Sequence, residues 1–273
     1  MTTMAAPQTR SGETGAPVLY SLDGNGVATL ALNRPDVRNA IDDEMVSSLL
    51  AAFRRADGDP VVRCVVLTST HDSVFSAGGN LKGMAATESA IAKHDRNSAF
   101  PGLTETIMSL KAPVLCALNG HALAGGFGLA LACDLIIAKA GIRIGTPEIN
   151  VGVFPFMIST LMQRNIPRKR MAELILLGEQ MTIEEAKELN IVNRVVAADL
   201  FDATVRDWAQ RLAAKSPLMM KLGKRALFET QDQPLMQALG QLSHYLTLAQ
   251  CSEDMKEGVA AFVEKRAPFW KGT

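Results

Sequence analysis

Residues 111–138 read KAPVLCALNGHALAGGFGLALACDLIIA. Lys111-Ala112-Pro113 leads into Val114–Leu118, an apolar run with the length of a buried strand. Asn119 to Leu129 follow, crowded with Gly and Ala, and run into a helix. Leu135–Ala138 is a second apolar strand. Strand, small-residue loop, helix, strand predicts parallel pairing with a right-handed crossover, and so an α/β fold.

The same grammar extends outward. Upstream, Val61–Thr68 (VVRCVVLT) reads as another buried strand, followed by a second glycine loop, Phe75-Ser76-Ala77-Gly78-Gly79-Asn80-Leu81-Lys82. Val18–Leu22 and Val27–Asn33 flank Asp23-Gly24-Asn25-Gly26, which is hairpin chemistry. Asp42 and Asp43 precede Met45, Val46, Leu49, Leu50 and Phe53, which share one helical face. Ala85–Phe100 is polar and weakly periodic, and reads as a loop or lid. Downstream, Ile142–Ile144 is a further strand. After about Ile166 the pattern is mostly helical. Helices are expected over Lys169–Leu177, over Ile183–Leu189 with Thr182 as N-cap, and over Ala203–Ala214. Two more carry Leu235, Leu239, Leu242 and Leu246, and then Met255, Val259, Phe262 and Val263. Such apolar stripes need a cover, either the sheet or a neighbouring subunit.

Composition narrows the class. The 273 residues hold 28 Lys+Arg and 28 Asp+Glu, so the formal charge is zero, which argues against a nucleic-acid backbone as partner. Charged residues interrupt each apolar stretch before a membrane-spanning length. Cys64, Cys116, Cys133 and Cys251 form no CxxC pair and read as reduced thiols of a cytosol-like, cytoplasmic compartment. Cys116 and Cys133 lie in apolar runs and are expected in the core. Four scattered His make no metal-ligand pattern. Residues 1–16 are polar and small, with no apolar leader segment, and read as a disordered tail.

The two glycine loops hold the first chemical cue. Small residues let backbone approach a ligand, and N–H groups at a helix start lack partners within the helix. Two of them aimed at one point make an oxyanion hole. Either loop alone is a generic turn, and neither has the Walker or dinucleotide spacing. The second cue is Gly145-Thr146-Pro147-Glu148-Ile149, a carboxylate between apolar runs. If buried, it would have a raised pKa and exchange protons near neutrality.

In this order the motifs resemble the crotonase (enoyl-CoA hydratase/isomerase) superfamily over about residues 18 to 270. They are Asn33-Arg34-Pro35 with Asn39-Ala40, FSAGGNLK, the Ala-Pro-Val lead-in with GHALAGGFGLALACD, GTPEINVGVFP, LLGEQMTIEEAKELNIVNRVV and FVEKR. The resemblance implies a spiral of β-β-α units over residues 17–205 and a helical oligomerisation region over 206–273, assembled as a homotrimer or dimer of trimers. It implies an acyl-CoA thioester substrate, with coenzyme A carried by that substrate and neither a separate cofactor nor a metal. By motif position the oxyanion donors are the N–H groups of Gly79 and Gly125, and the acid–base residue is Glu148. Gly79, Asn80, Leu81 and Lys82 would line the CoA cleft, and the Ala77 carbonyl would meet adenine. Arg38 would meet a phosphate, and Phe262 and Lys265 would touch CoA from a neighbouring subunit.

One position departs from the hydratase pattern. Hydratases of the superfamily carry a second glutamate three residues after the second oxyanion donor, and here that residue is Gly128. A lone carboxylate suits proton shuttling within the substrate, as in double-bond isomerisation. Hydration would need another group to hold water, with Glu88, His94, Asp95 and His121 as candidates. The other reading is a non-catalytic acyl-CoA-binding homologue. Phe156 and Met157, where many hydratases have a Gly-rich turn, are expected to reshape the acyl pocket.

Overall fold

The computed structural model describes residues 15–79, 87 and 89–273. The expectations for residues 1–14, for Asn80, Leu81 and Lys82, and for residues 85, 86 and 88 lie outside the described residues. The hairpin is β1 (Val18–Leu22) and β2 (Val27–Leu32), antiparallel with Val18 opposite Leu32. Asp23 closes its turn by accepting the Asn25 and Val27 N–H groups. β3 (Cys64–Ser69), β5 (Val114–Leu118), β7 (Leu135–Lys139) and β10 (Arg194–Val196) complete a six-stranded sheet ordered β1-β2-β3-β5-β7-β10, parallel from β2 onward. Alternation along β3 divides its side chains. Val65 and Leu67 enter the main core, while Cys64 and Val66 pack with Phe201, Val205 and Ala209 of α7 (Ala198–Ala213).

α1 (Asp43–Gly58) starts as its sequence indicates, with the Asp42 side chain accepting the Met45 N–H. It buries Met45, Val46, Leu49, Ala52, Phe53 and Ala56. The stretch read as a lid is corrected from Ala90 onward, where it is the first half of a helix, α2 (Ala90–Ser109), capped by Ser89 and packed on α1. Its only fully buried side chains are Phe100, Leu103 and Ile107. The exposed first turns therefore carry no apolar period, and tertiary packing stabilises what the sequence leaves unmarked.

A second sheet, ordered β4-β6-β8-β9, comprises β4 (Val74–Ser76), β6 (His121–Leu123), β8 (Arg143–Gly145) and β9 (Gln180–Thr182). Three-residue strands are too short to show a period, so β4 and β6 pass as parts of the glycine loops. β4, β6 and β8 are mutually parallel, which brings their C-terminal ends to one edge. The remaining helices are α3 (Gly125–Ala132), α4 (Phe156–Asn165), α5 (Arg168–Leu177), α6 (Ile183–Glu188), α8 (Pro217–Thr230), α9 (Leu235–Cys251) and α10 (Glu253–Glu264). Thr182 caps α6 as expected, whereas α4 and α8 were not foreseen from the sequence. α9 buries no side chain fully, and Leu235 and Phe262 on α9 and α10 are 72% and 86% exposed. Among the described residues no helix is long and apolar enough to cross a membrane.

Candidate active site

Each strand of the parallel trio β4-β6-β8 is followed by one of the three chemical motifs. Ala77-Gly78-Gly79 leaves β4, Ala124-Gly125 leaves β6, and Thr146-Pro147-Glu148 leaves β8. The C-terminal edge of parallel strands is where α/β folds place their ligand sites. Pairing of Leu123 with Gly145, extended by the Ala124 N–H donating to the Gly145 carbonyl at 2.8 Å, sets the second and third motifs side by side. A Cβ on Gly78 would lie 2.3 Å from the Ala124 Cβ and 3.2 Å from the Gly125 nitrogen, so the first and second loops touch. Gly78 has φ +90°, and only glycine combines that backbone with so close an approach.

The first loop is held from beneath by a residue to which the sequence reading gave no role. Asn39 is fully buried. Its Nδ2 donates to Ser69 Oγ at 2.8 Å and to the Phe75 carbonyl at 3.0 Å, while its Oδ1 accepts the Arg34 N–H. Ser76 Oγ donates to the Asn39 carbonyl and accepts the Gly78 N–H. Ile41 pairs with Gly79 by donating its N–H to the Gly78 carbonyl, which leaves the Gly79 N–H out of that pairing. Its only signal in sequence is a small amide just after a Pro turn.

Gly125 is the first residue of α3, so its N–H has no acceptor within the helix. The preceding Ala124 sits at φ 50°, ψ −126°. That conformation is disfavoured for an L-residue and stores about 1–3 kcal/mol. It turns the chain sharply enough for α3 to start at the strand end. One turn on, a Cβ at Gly128 would lie 3.0 Å from Phe100 Cζ and 3.1 Å from Ile158 Cγ1. The region is apolar, with Ile41 also near Gly125.

Glu148 lies in the 3-10 turn Pro147–Val151 and is half-buried. Its Oε2 is buried and has no hydrogen-bond partner among the described residues. Loss of hydration pushes its carboxyl above the usual carboxylate range, only partly offset by a backbone hydrogen bond. Arg38 and Ala77 are brought together on the wall of a cleft of about 420 Å³ that also has His121, Arg143 and Gln180 in its lining. His121 Nδ1 accepts the Arg143 N–H at 2.9 Å, which ties the imidazole to β8. His94 and Asp95 are exposed on α2. Phe262 lines a separate apolar hollow of about 330 Å³ beside Met255 and Trp270, and Lys265 is the C-cap of α10. Neither lines the Arg38–Ala77 cleft. Phe156 and Met157 are exposed at the start of α4. Among the described residues no three His, Cys, Asp or Glu side chains cluster to hold a metal.

The chain matches the enoyl-CoA hydratase/isomerase family model over residues 23–273. It is 32% identical over 247 residues to the 2,3-dehydroadipyl-CoA hydratase of Escherichia coli (strain K12), covering 90% of this chain and 95% of that one. It is 36% identical to the carnitinyl-CoA dehydratase of Salmonella typhi, covering 92% and 97%. Among solved structures, an enoyl-CoA hydratase from Mycobacterium smegmatis superposes with a TM-score of 0.89 at 32% identity, over 93% of this chain and 98% of that one. An enoyl-CoA hydratase structure from Geobacillus kaustophilus HTA426 gives 0.87 at 37%, over 94% and 98%. With sequence motifs, sheet topology and full-length similarity in agreement, this chain belongs to the enoyl-CoA hydratase/isomerase family, of the crotonase fold.

Proposed function

We propose that the protein moves a proton on an acyl-CoA thioester, with the N–H groups of Gly79 and Gly125 cradling the thioester oxygen and Glu148 as the one acid–base residue. The observation that carries this is the meeting of the three loops at one sheet edge, beside a carboxylate whose Oε2 is buried without a partner among the described residues. Withdrawal of the C2 proton by Glu148 leaves an electron pair that delocalises onto the thioester oxygen. Two amide donors stabilise that negative charge, each contributing about 10²–10³ in rate. For a 3-enoyl thioester, the proton returned by Glu148 to C4 shifts the double bond from C3–C4 to C2–C3, and no other atom enters or leaves. A single carboxylate suffices for this relocation, which favours double-bond isomerisation. The cleft with Arg38 and Ala77 suits the nucleotide end of CoA, the guanidinium facing phosphate. By motif position alone Asn80, Leu81 and Lys82 are proposed as CoA contacts, and Phe262 and Lys265 would reach a CoA only from an adjoining subunit.

Hydration is the second reading, favoured by relatives that are named as a hydratase and dehydratases. A panel of 2-enoyl and 3-enoyl thioesters read by mass spectrometry separates the two. Water addition gains mass, whereas bond migration changes absorbance alone. Exchange of the substrate α-proton in deuterated water is expected to fall by about 10²–10⁴-fold in Glu148→Gln. Unchanged exchange removes Glu148 from the chemistry. Tight CoA binding without turnover on any thioester supports a non-catalytic acyl-CoA-binding protein instead.

A further inference from the structure

We infer that Phe100 determines the reaction's specificity, its ring occupying the place beside Gly128 where a second acid or a held water would sit. This rests on the proton-transfer reading above. Phe100 projects from the buried face of α2, with Leu103 and Ile107 on the same face. Its ring spans the first turn of α3. Cε2 lies 3.8 Å from a Cβ built on Gly125, while Cζ and Cε1 lie 3.0 Å and 3.5 Å from one built on Gly128. Ile158 of α4 closes the other side at 3.1 Å. A Cβ at residue 128 already requires the Phe100 ring and Ile158 to give by a few tenths of an ångström, and a longer side chain requires more, so Gly128 and Phe100 fit each other as a pair.

The chemical consequence follows from what these atoms lack. Ring C–H edges and an isoleucine methylene neither accept nor deliver the proton of a water molecule. A buried water needs two to four polar partners, and Phe100, Ile158 and Ile41 supply none. The dienolate formed by loss of the C2 proton is electron-rich and is quenched by proton return from Glu148. Water adds only afterwards, to C3 of the 2-enoyl thioester so formed, and the described side chains beside Gly128 hold no water for that step. The ring thus stops the reaction at bond migration, short of water addition.

The test measures, on the purified full-length protein, the ratio of hydrated to isomerised product from a 3-enoyl-CoA in heavy-oxygen water. Wild type is expected to isomerise with little oxygen incorporation. Gly128→Glu alone is expected to lose thermal stability and turnover. Gly128→Glu with Phe100→Ala is expected to regain both and to raise the hydrated fraction by about tenfold or more, less than the ~10²–10⁴ of a fully aligned general acid. Phe100→Tyr, which keeps the ring and adds a hydroxyl on Cζ beside Gly128, is expected to raise that fraction in the same direction and serves if the alanine variants fail to fold. A ratio within about twofold of wild type in folded Phe100→Tyr and double variants overturns the inference. Water addition as the main wild-type reaction overturns it too. In both cases α-proton exchange that still depends on Glu148 leaves the proton-transfer reading intact. Exchange that persists in Glu148→Gln overturns that reading, and this inference with it.

Discussion

At the scale of single residues, burial gives Glu148 its distinctive behaviour. Dehydration favours the protonated carboxyl, so its pKa stands above the usual carboxylate range. The proposed base works when deprotonated. The ascending limb of kcat/KM against pH is therefore expected above the ordinary carboxylate value and is expected to vanish in Glu148→Gln. Linkage gives the sign for stability. A carboxyl whose folded pKa is raised contributes stability below its unfolded pKa and loses that contribution as pH rises through the folded value. Chemical denaturation across that window should show wild type weakening relative to Glu148→Gln as pH increases. A parallel course for the two proteins contradicts it. The glycines offer a second contrast. A Cβ at Gly125 meets nothing nearer than Ile41 Cδ1 at 3.6 Å, an ordinary contact, but one at Gly126 lies 2.6 Å from Ser76 Cβ and 2.7 Å from the Ser76 carbonyl. Gly125→Ala should fold with nearly wild-type stability, whereas Gly126→Ala should cost about 1–3 kcal/mol as β4 and α3 are forced apart. Equal melting temperatures for the two variants rule out this packing. The Gly-Gly run at 125–126 was visible in the sequence, but a string of letters does not distinguish the glycine with room for a Cβ from the one pressed on a neighbouring strand.

At the scale of elements, legibility tracked length and period. The hairpin, α1, β3, β5, β7 and the later amphipathic helices could be read because each repeats a pattern several times. Asp42 and Thr182 marked their helix starts with side chains that do cap. Of the second sheet only β8 was legible, as the Ile142–Ile144 run, since three-residue strands have no period, and the sheet explains why the three motifs meet. α2 was misread because its buried face begins only at Phe100. α8 has a subtler signature, a lysine in an apolar setting. Lys224 is buried, with Nζ donating to the Ile107 and Ala112 carbonyls and pairing with Asp134 at 2.7 Å. Asp134 also accepts the Val114 N–H at the start of β5. Lys224 thus ties α8 to α2 and to the central sheet. Lys224→Met should cost about 3 kcal/mol, the lower end for breaking a buried pair because Asp134 keeps some solvent contact. Thermal unfolding measures it, and a melting temperature equal to wild type rules out the anchor.

At the scale of the whole molecule, the apolar surface is concentrated in the C-terminal helices. Leu227 of α8, Leu235, Met236, Leu239, Leu246 and Leu248 of α9, and Val259, Phe262 and Val263 of α10 are all exposed. Apolar patches of this extent are rare on monomeric proteins and mark contact surfaces. The stripe read in the sequence did not reveal whether the sheet or another subunit covers it, and within its own chain α9 packs on α8 and α10 yet buries no side chain fully. The C-terminal segment reinforces this region from within. Trp270 Nε1 donates to the Ala214 carbonyl, and the Thr273 carbonyl oxygen accepts the Glu253 and Asp254 N–H groups at the start of α10. α10 is thereby presented as a fixed surface, which lowers the entropy lost on association. Sedimentation is expected to give a homotrimer or a dimer of trimers. Leu239 and Leu246 are two turns apart on one face of α9, so Leu239→Glu with Leu246→Glu places two carboxylates in the proposed contact. Dissociation should follow, with a melting temperature that no longer rises with protein concentration as mass action requires of an assembly. Wild-type protein that sediments at the 29.3 kDa of one chain at all concentrations overturns the assembly. It also removes the adjoining subunit through which Phe262 and Lys265 were to reach the CoA.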